Sequence, residues 1–254
     1  MLPELSSLVP LSWENIEAVV FDIGGVFAIR HADPVRHGLR RAGIEMPADD
    51  GSNYHDAHYR AVRALTDATH AGTTDEYARE FWLNYERGYL GSLGVDAGLI
   101  DVAVEAMHTE VHLKEAKPIW RYMLHDNIEA FQRLAKSGMP VAIVTNNDGT
   151  AAQQMVDFGI CQVGEGPLTN VAAIADSGTL NIAKPDPRIF KPALEALGTK
   201  PAYTLYVGDT LHADVVGATR AGMPVVQLDP LDLHAHLPHT RLPGVAEVVA
   251  NLGR

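Results

Sequence analysis

Cysteine is almost absent from this chain of 254 residues: Cys161 stands alone. A single thiol forms no internal disulfide, so the expected setting is a reducing, cytoplasmic compartment. Clusters of cysteine and histidine with structural-zinc spacing are missing as well. Basic residues are in short supply, with 20 Lys and Arg against 32 Asp and Glu and a formal net charge of −12. An acidic chain without a dense Lys/Arg run repels phosphate backbones, so no nucleic-acid partner is expected. A phosphorylated small molecule is not excluded, because a metal ion and a few placed cations can reverse the field locally. No stretch approaches the ~20 consecutive apolar residues of a membrane span, and no membrane association is expected. The opening residues MLPELSSLVPLSW lack a basic n-region and contain Glu4, unlike a secretory leader. Nothing in the sequence speaks to oligomeric state.

What is present is enough to bury a full core, with 46% apolar and 20% charged residues. Five short apolar runs stand out: Ala18–Ile23, Pro140–Thr145, Val171–Ala175, Thr204–Val207 and Pro224–Leu228. Runs rich in Val and Ile without polar alternation suit strands buried on both faces of a parallel sheet. Helical spacing appears between them, at Ile128/Phe131/Leu134/Ala135, at Ile189/Ala193/Leu194/Leu197 and at Val215/Val216/Ala218. Gly138, Gly198 and Gly222 sit where those helices should stop. The tail 244–252 reads as a last amphipathic helix. Strands alternating with helices predict an α/β fold, a Rossmann-like doubly wound parallel sheet.

The interval from Arg30 to Arg121 breaks that rhythm. Its patterns are helical, at Val62/Leu65, Tyr77/Phe81/Trp82/Tyr85 and Leu99/Val102/Ala103/Ala106, and it is too long for a simple crossover. The expected organisation is a core of residues 15–30 and 122–254 with a helical domain, 31–121, inserted after the first strand. The Arg and His residues of the insert (Arg36, His37, Arg40, Arg41, His55, His58, Arg60, Arg63) are expected mostly on a solvated helix face. The aromatic group Tyr77, Phe81, Trp82 and Tyr85 is expected in that domain's core.

Parallel α/β sheets bind ligands beyond the carboxyl ends of their strands. The first run ends in Asp22, followed by Ile23-Gly24-Gly25. The second ends in Thr145-Asn146-Asn147-Asp148, and the fourth continues as Gly208-Asp209-Thr210-Leu211-His212-Ala213-Asp214. Lys184-Pro185-Asp186-Pro187 precedes the fourth. Each feature alone has an ordinary explanation as a cap, a turn or a surface lysine. Together they place three carboxylates, a hydroxyl and an ammonium at one sheet edge. Carboxylates so clustered repel unless a cation sits between them, and oxygen-only ligands point to Mg2+.

The ordered set FDIGGV, VTNN, AKPDPRIF and VGDTLHAD resembles the four motifs of the haloacid dehalogenase superfamily. The insert resembles that superfamily's α-helical cap of the first class, and the likeness runs from Ala18 to Leu228. It implies a hydrolase, phosphatase-like, with its active site between core and cap. Asp22 matches the nucleophile that becomes an aspartyl-phosphate, and it also matches a metal ligand beside the Gly24 carbonyl and Asp209. Thr145, the amide of Asn146 and Gly25 match the groups around the phosphoryl oxygens. Lys184 matches the lysine that neutralises the nucleophile–phosphate pair. Asp214 matches the acid that supports either the metal's water shell or that lysine. Mg2+ and a small phosphorylated substrate are the implied cofactor and partner.

One position departs from the pattern. The family's phosphatases usually carry a second aspartate two residues after the nucleophile, which protonates the leaving oxygen and then activates water; here it is Gly24. Three readings compete. The enzyme is a phosphatase restricted to good leaving groups, with water or a residue such as His31, Asp33 or Asp148 assisting. Alternatively it is a 2-haloacid dehalogenase, although such relatives need no Mg2+ and both Asp209 and Asp214 are kept here. Or it is a slow or inactive binding module, which should show decay at several motifs. A phosphonate-cleaving relative needs a cap lysine, and the insert offers only Lys114 and Lys117, near its end. The phosphatase reading leads.

Overall fold

A computed structural model describes residues 3–47, 53–72, 79–112 and 119–253. The chain forms two compact units, Met1–Phe27 with Leu124–Arg254, and Ala28–Met123. From the amino end come β1 (Ala18–Phe21), β2 (Ala28–Arg30), α1 (Ala32–Arg41), α2 (Asn53–His70), α3 (Arg79–Ser92) and α4 (Ile100–Ala106). Strand β3 (Trp120–Met123) and α5 (His125–Lys136) lead to β4 (Val141–Thr145), α6 (Ala151–Asp157), β5 (Cys161–Val163), β6 (Thr169–Val171), β7 (Ile174–Asp176) and α7 (Ser177–Leu180). Then follow α8 (Lys191–Leu197), β8 (Thr204–Gly208), α9 (Val216–Arg220), β9 (Val225–Leu228), β10 (Thr240–Leu242) and α10 (Val245–Asn251).

The first unit is built on a six-stranded sheet in the order β10-β9-β8-β1-β4-β7. Every pairing in it is parallel. Strand β1 lies at its centre, with Phe21 level with Ile143 of β4 on one side and Val207 of β8 on the other. From β1 the chain builds outward through β4 and β7, then returns to β8 and builds the other way. That reversal puts a topological switch at the carboxyl end of β1, where doubly wound sheets hold their ligands. Both faces are covered, as the continuous apolar runs predict. Phe21 packs with Phe27 and Phe131 of α5, ring centroids 4.9 to 5.7 Å apart. Val20 belongs to the opposite cluster with Ile189, Phe190, Tyr206 and Val215. Gly138, Gly198 and Gly222 follow α5, α8 and α9 in left-handed conformation.

The expected third strand needs correction. The third apolar run is two strands in different sheets: β6 pairs with β5 in a small parallel ribbon, and β7 joins the edge of the main sheet beside β4. Hydropathy alone does not mark the bend at Ala172–Ala173, where the backbone still bonds to β4 on either side. The compact units divide at 27/28 and 123/124, and β2 and β3 pair antiparallel with each other in the second.

Among the described residues the second unit is helical apart from that ribbon, with α2 packed on α3. Most of its cations are exposed or half-buried, and His58 is the buried exception among the Arg and His residues named above. It lies beside a buried Arg30–Glu86 ion pair of 2.6 Å, with the Arg30 guanidinium 4.5 Å from the centre of the Tyr85 ring. Phe81 and Tyr85 are core residues as expected, Trp82 is exposed against that expectation, and Tyr77 lies outside the described residues, as do Lys114 and Lys117.

Burial, and then the nearby Arg30 charge, push the His58 imidazole down to about 3 from an ordinary 6.5. The folded chain therefore resists a proton that the unfolded chain accepts. His58 contributes stability that is full above about pH 6.5 and lost as pH falls toward the folded value, at up to ~1.4 kcal/mol per pH unit. Calorimetric melting between pH 7.5 and 5 should show this loss, with a shallower slope for His58→Phe. An identical slope would show that His58 is not held neutral.

Candidate active site

The three central strand ends deliver the candidate residues side by side. Asp22 follows β1, its backbone N–H donating to Val207 O at 2.9 Å. Thr145 closes β4, and Asp209 follows β8; all three side chains are buried. Gly25 adopts φ +66°, and a Cβ there would fall inside the Asp209 carboxylate. Gly208 is similarly constrained, since a Cβ on it would overlap the Asp214 carboxylate. Gly25 is therefore required by close approach as well as by turning, and Gly208 by close approach.

Lys184 reaches the group from the loop before α8. Its backbone is clamped by the Asn146 side chain, which accepts from Lys184 N at 2.8 Å and donates to Lys184 O at 3.0 Å. Lys184 is 1% exposed, and its ammonium meets Asp22 Oδ2 at 3.0 Å, Asp214 Oδ1 at 2.7 Å and Tyr206 Oη at 2.9 Å. Three N–H protons thus face three acceptors. Asp214 is held in turn by the wide helical turn Leu211–Val215. Its Oδ2 accepts from Thr210 N at 2.8 Å, Thr210 Oγ1 at 2.7 Å and Asp209 N at 3.1 Å.

One lysine does not neutralise three carboxylates. Asp22, Asp209 and Asp214 each offer an oxygen within 4.8 Å of the others. Burial, with the Asp214 and Asp209 charges adding and Lys184 opposing, pushes Asp22 up to about 7. Burial and the adjacent Asp214 push Asp209 well above the ordinary carboxylate range. Burial would raise Asp214 too, but the Lys184 charge and the hydrogen bonds from Lys184 and Thr210 hold it low. Asp22 Oδ1 is buried with no hydrogen-bond donor among the described residues. An unmet buried carboxylate oxygen is costly, on the order of 1–3 kcal/mol or more, and a divalent cation removes both that cost and the mutual repulsion. An all-oxygen donor set suits Mg2+. Both Asp214 oxygens are already engaged, so Asp22 and Asp209 are the carboxylates that fit the ion.

The sequence-derived residues Asp22, Gly24, Gly25, Thr145, Asn146, Lys184, Asp209 and Asp214 all lie in the first unit. The Asn146 side chain serves the Lys184 backbone, a task its motif does not announce. Asp214 contacts the lysine and the Thr210 turn. Of the assistants considered for Gly24, His31 and Asp33 belong to the second unit, where His31 Nδ1 accepts from Asp33 N at 3.2 Å. Asp148 is exposed and caps the Thr150 turn, accepting from Thr150 N at 3.1 Å. Tyr206 and Gln227 were not singled out by motif. The available signal was a polar group inside a fully buried strand, which must find a partner.

A sequence model of the haloacid dehalogenase-like hydrolases matches residues 16–222. The chain belongs to that family. Among curated relatives of this haloacid dehalogenase-like hydrolase, the phosphoserine phosphatase of Thermus thermophilus is 36% identical over 110 residues, 43% of this chain and 42% of that protein. The chain thus matches less than half the length of that relative. The glyceraldehyde 3-phosphate phosphatase of Methanopyrus kandleri is 28% identical over 220 residues, 84% of each chain. Among solved structures, the HAD-hydrolase YfnB of Bacillus subtilis, bound to magnesium, superimposes with a TM-score of 0.59 at 17% identity, covering 94% of this chain and 99% of that one.

Tyr206→Phe tests the lysine clamp of this haloacid dehalogenase-like hydrolase. The ring should keep its edge-on packing against Phe190, centroids 5.0 Å apart, while Lys184 loses one acceptor. A loss of about 1–3 kcal/mol is expected from urea midpoints at unchanged m-value. An unchanged midpoint would remove the hydroxyl from the clamp.

Proposed function

We propose that this hydrolase is a Mg2+-dependent phosphatase of a small phosphorylated metabolite, with Asp22 as nucleophile. The observation that carries this reading is the state of the Asp22 carboxylate: Lys184 pins Oδ2, and Oδ1 is buried without a donor. Both curated relatives above are named phosphatases, which supports phosphate-ester chemistry. Asp22, Asp209 and the Gly24 carbonyl would hold Mg2+, which supplies charge neutralisation to the phosphoryl group. The chain's own residues do the rest. A carboxylate oxygen of Asp22 attacks phosphorus, the ester P–O bond breaks, and the leaving oxygen departs with the electron pair. Water then attacks the aspartyl-phosphate at phosphorus, releasing inorganic phosphate and free Asp22. Lys184 offsets the negative charge gathering on Asp22 and the phosphoryl oxygens. Thr145, the Asn146 amide and Gly25 orient those oxygens.

Gly24 sets the limit. It offers no carboxyl to protonate the leaving oxygen, an effect generally worth ~10²–10⁴ in rate. Substrates whose leaving group needs little protonation, such as sugar 1-phosphates or acyl phosphates, therefore fit best. The test is a phosphate-release panel of sugar, nucleotide and acyl phosphates with Mg2+. Activity confined to good leaving groups is expected, abolished by EDTA and by Asp22→Asn, and Gly24→Asp should speed turnover of poor leaving groups. Metal-independent halide release from a 2-haloacid would replace this reading with a dehalogenase. Silence across the panel, with no Mg2+ binding in calorimetry, would replace it with a binding module.

A further inference from the structure

Behind Asp209 lies a second buried polar chain that no motif includes. Gln227 is the single polar residue of β9 and is fully buried. Its Nε2 donates to the Asp209 backbone carbonyl at 2.7 Å. A carbonyl oxygen only accepts, so the amide nitrogen is the end that faces Asp209. Gln227 Oε1 then points away and meets His239 Nε2 at 2.6 Å. That oxygen also only accepts, so His239 carries a proton on Nε2. His239 Nδ1 is buried with no partner among the described residues, so no acceptor there competes for the proton.

His239 is itself fastened. Arg241 donates to Leu237 O at 2.8 Å and to His239 O at 3.2 Å. Asp229 accepts from Leu233 N at 3.0 Å and His234 N at 2.8 Å, closing the loop between β9 and β10. At the other end, the N–H of Asp209 donates to Asp214 Oδ2 at 3.1 Å. Asp209 is thus gripped at its N–H by Asp214 and at its carbonyl by Gln227. Those two bonds restrain its φ and ψ and so the direction of its Cα–Cβ bond.

We propose that Gln227, oriented by His239, is a positioning residue that fixes the Asp209 backbone and thereby aims its carboxylate for Mg2+. This rests on the metal assignment under the proposed function. A ligand whose backbone is already fixed loses less freedom on binding the ion, and outer partners of metal ligands are commonly worth 10–100-fold in affinity.

The test is Mg2+ titration calorimetry on the full chain, with thermal melting as the check on folding. Gln227→Leu keeps bulk, and Gln227→Glu keeps an acceptor for His239 but loses the donor to Asp209. Both should weaken Mg2+ binding about tenfold while melting cooperatively. His239→Gln, which supplies an N–H near Nε2, should bind more tightly than His239→Leu. Should Gln227→Leu not fold, the other variants give the same reading. Wild-type affinity in both Gln227→Glu and His239→Leu would overturn the inference and leave the proposed function standing. Failure of the wild type to bind Mg2+ would overturn the metal assignment and the inference with it. An Nδ1–H tautomer of His239 in nitrogen-15 NMR would overturn the inference alone.

Discussion

A single buried ammonium, that of Lys184, ties the strand ends into one site. Its three protons are divided among Asp22, Asp214 and the Tyr206 hydroxyl. Taking such a charge out of water costs several kcal/mol, and only close, correctly aimed acceptors offset it. Much of the local architecture supplies that aim. Asn146 grips the lysine backbone from the end of β4, the Thr210 turn orients Asp214, and Gly208 leaves room for its carboxylate. The same lysine cannot balance Asp209 as well. A charge deficit and an unmet Asp22 oxygen remain in the same place, and both are relieved by a cation.

Under the proposed function, that arrangement separates two halves of a phosphoryl transfer. Attack requires an ionised Asp22 held in one orientation with its charge controlled, and the lysine and carboxylate geometry serves that step. Proton delivery requires a titratable group near the leaving oxygen, and Gly24 cannot be one. Among the described residues of the first unit, Asp148 is committed to its own turn. Under that reading the expected consequence lies in the choice of leaving group, and in slow hydrolysis of the phospho-enzyme.

The parts of this design that follow from local chemistry were legible in the sequence. Apolar runs ending in Asp22, Thr145 and Gly208-Asp209 name the strands and their chemical ends, because a parallel strand must be apolar and must stop where polar groups begin. The split of residues 171–175 was not legible, since hydropathy is blind to which edge a strand joins. Nor were Tyr206, Gln227, His58 and Arg30. Each is a polar or charged group inside a core, and its meaning depends on a partner distant in sequence: Lys184, Asp209, Tyr85 and Glu86 respectively. Periodicity marks which residues go inside, but it does not pair them.

Whether Asp22 carries phosphate during turnover is decided by rapid quenching in acid, borohydride reduction and peptide mass spectrometry. With Mg2+ and an acyl or sugar 1-phosphate substrate, slow hydrolysis beside Gly24 should let the aspartyl-phosphate accumulate. Reduction should then convert residue 22, and no other carboxylate, to homoserine. Steady turnover with Asp22 unconverted, or conversion at Asp209 or Asp214 instead, would contradict the nucleophile assignment.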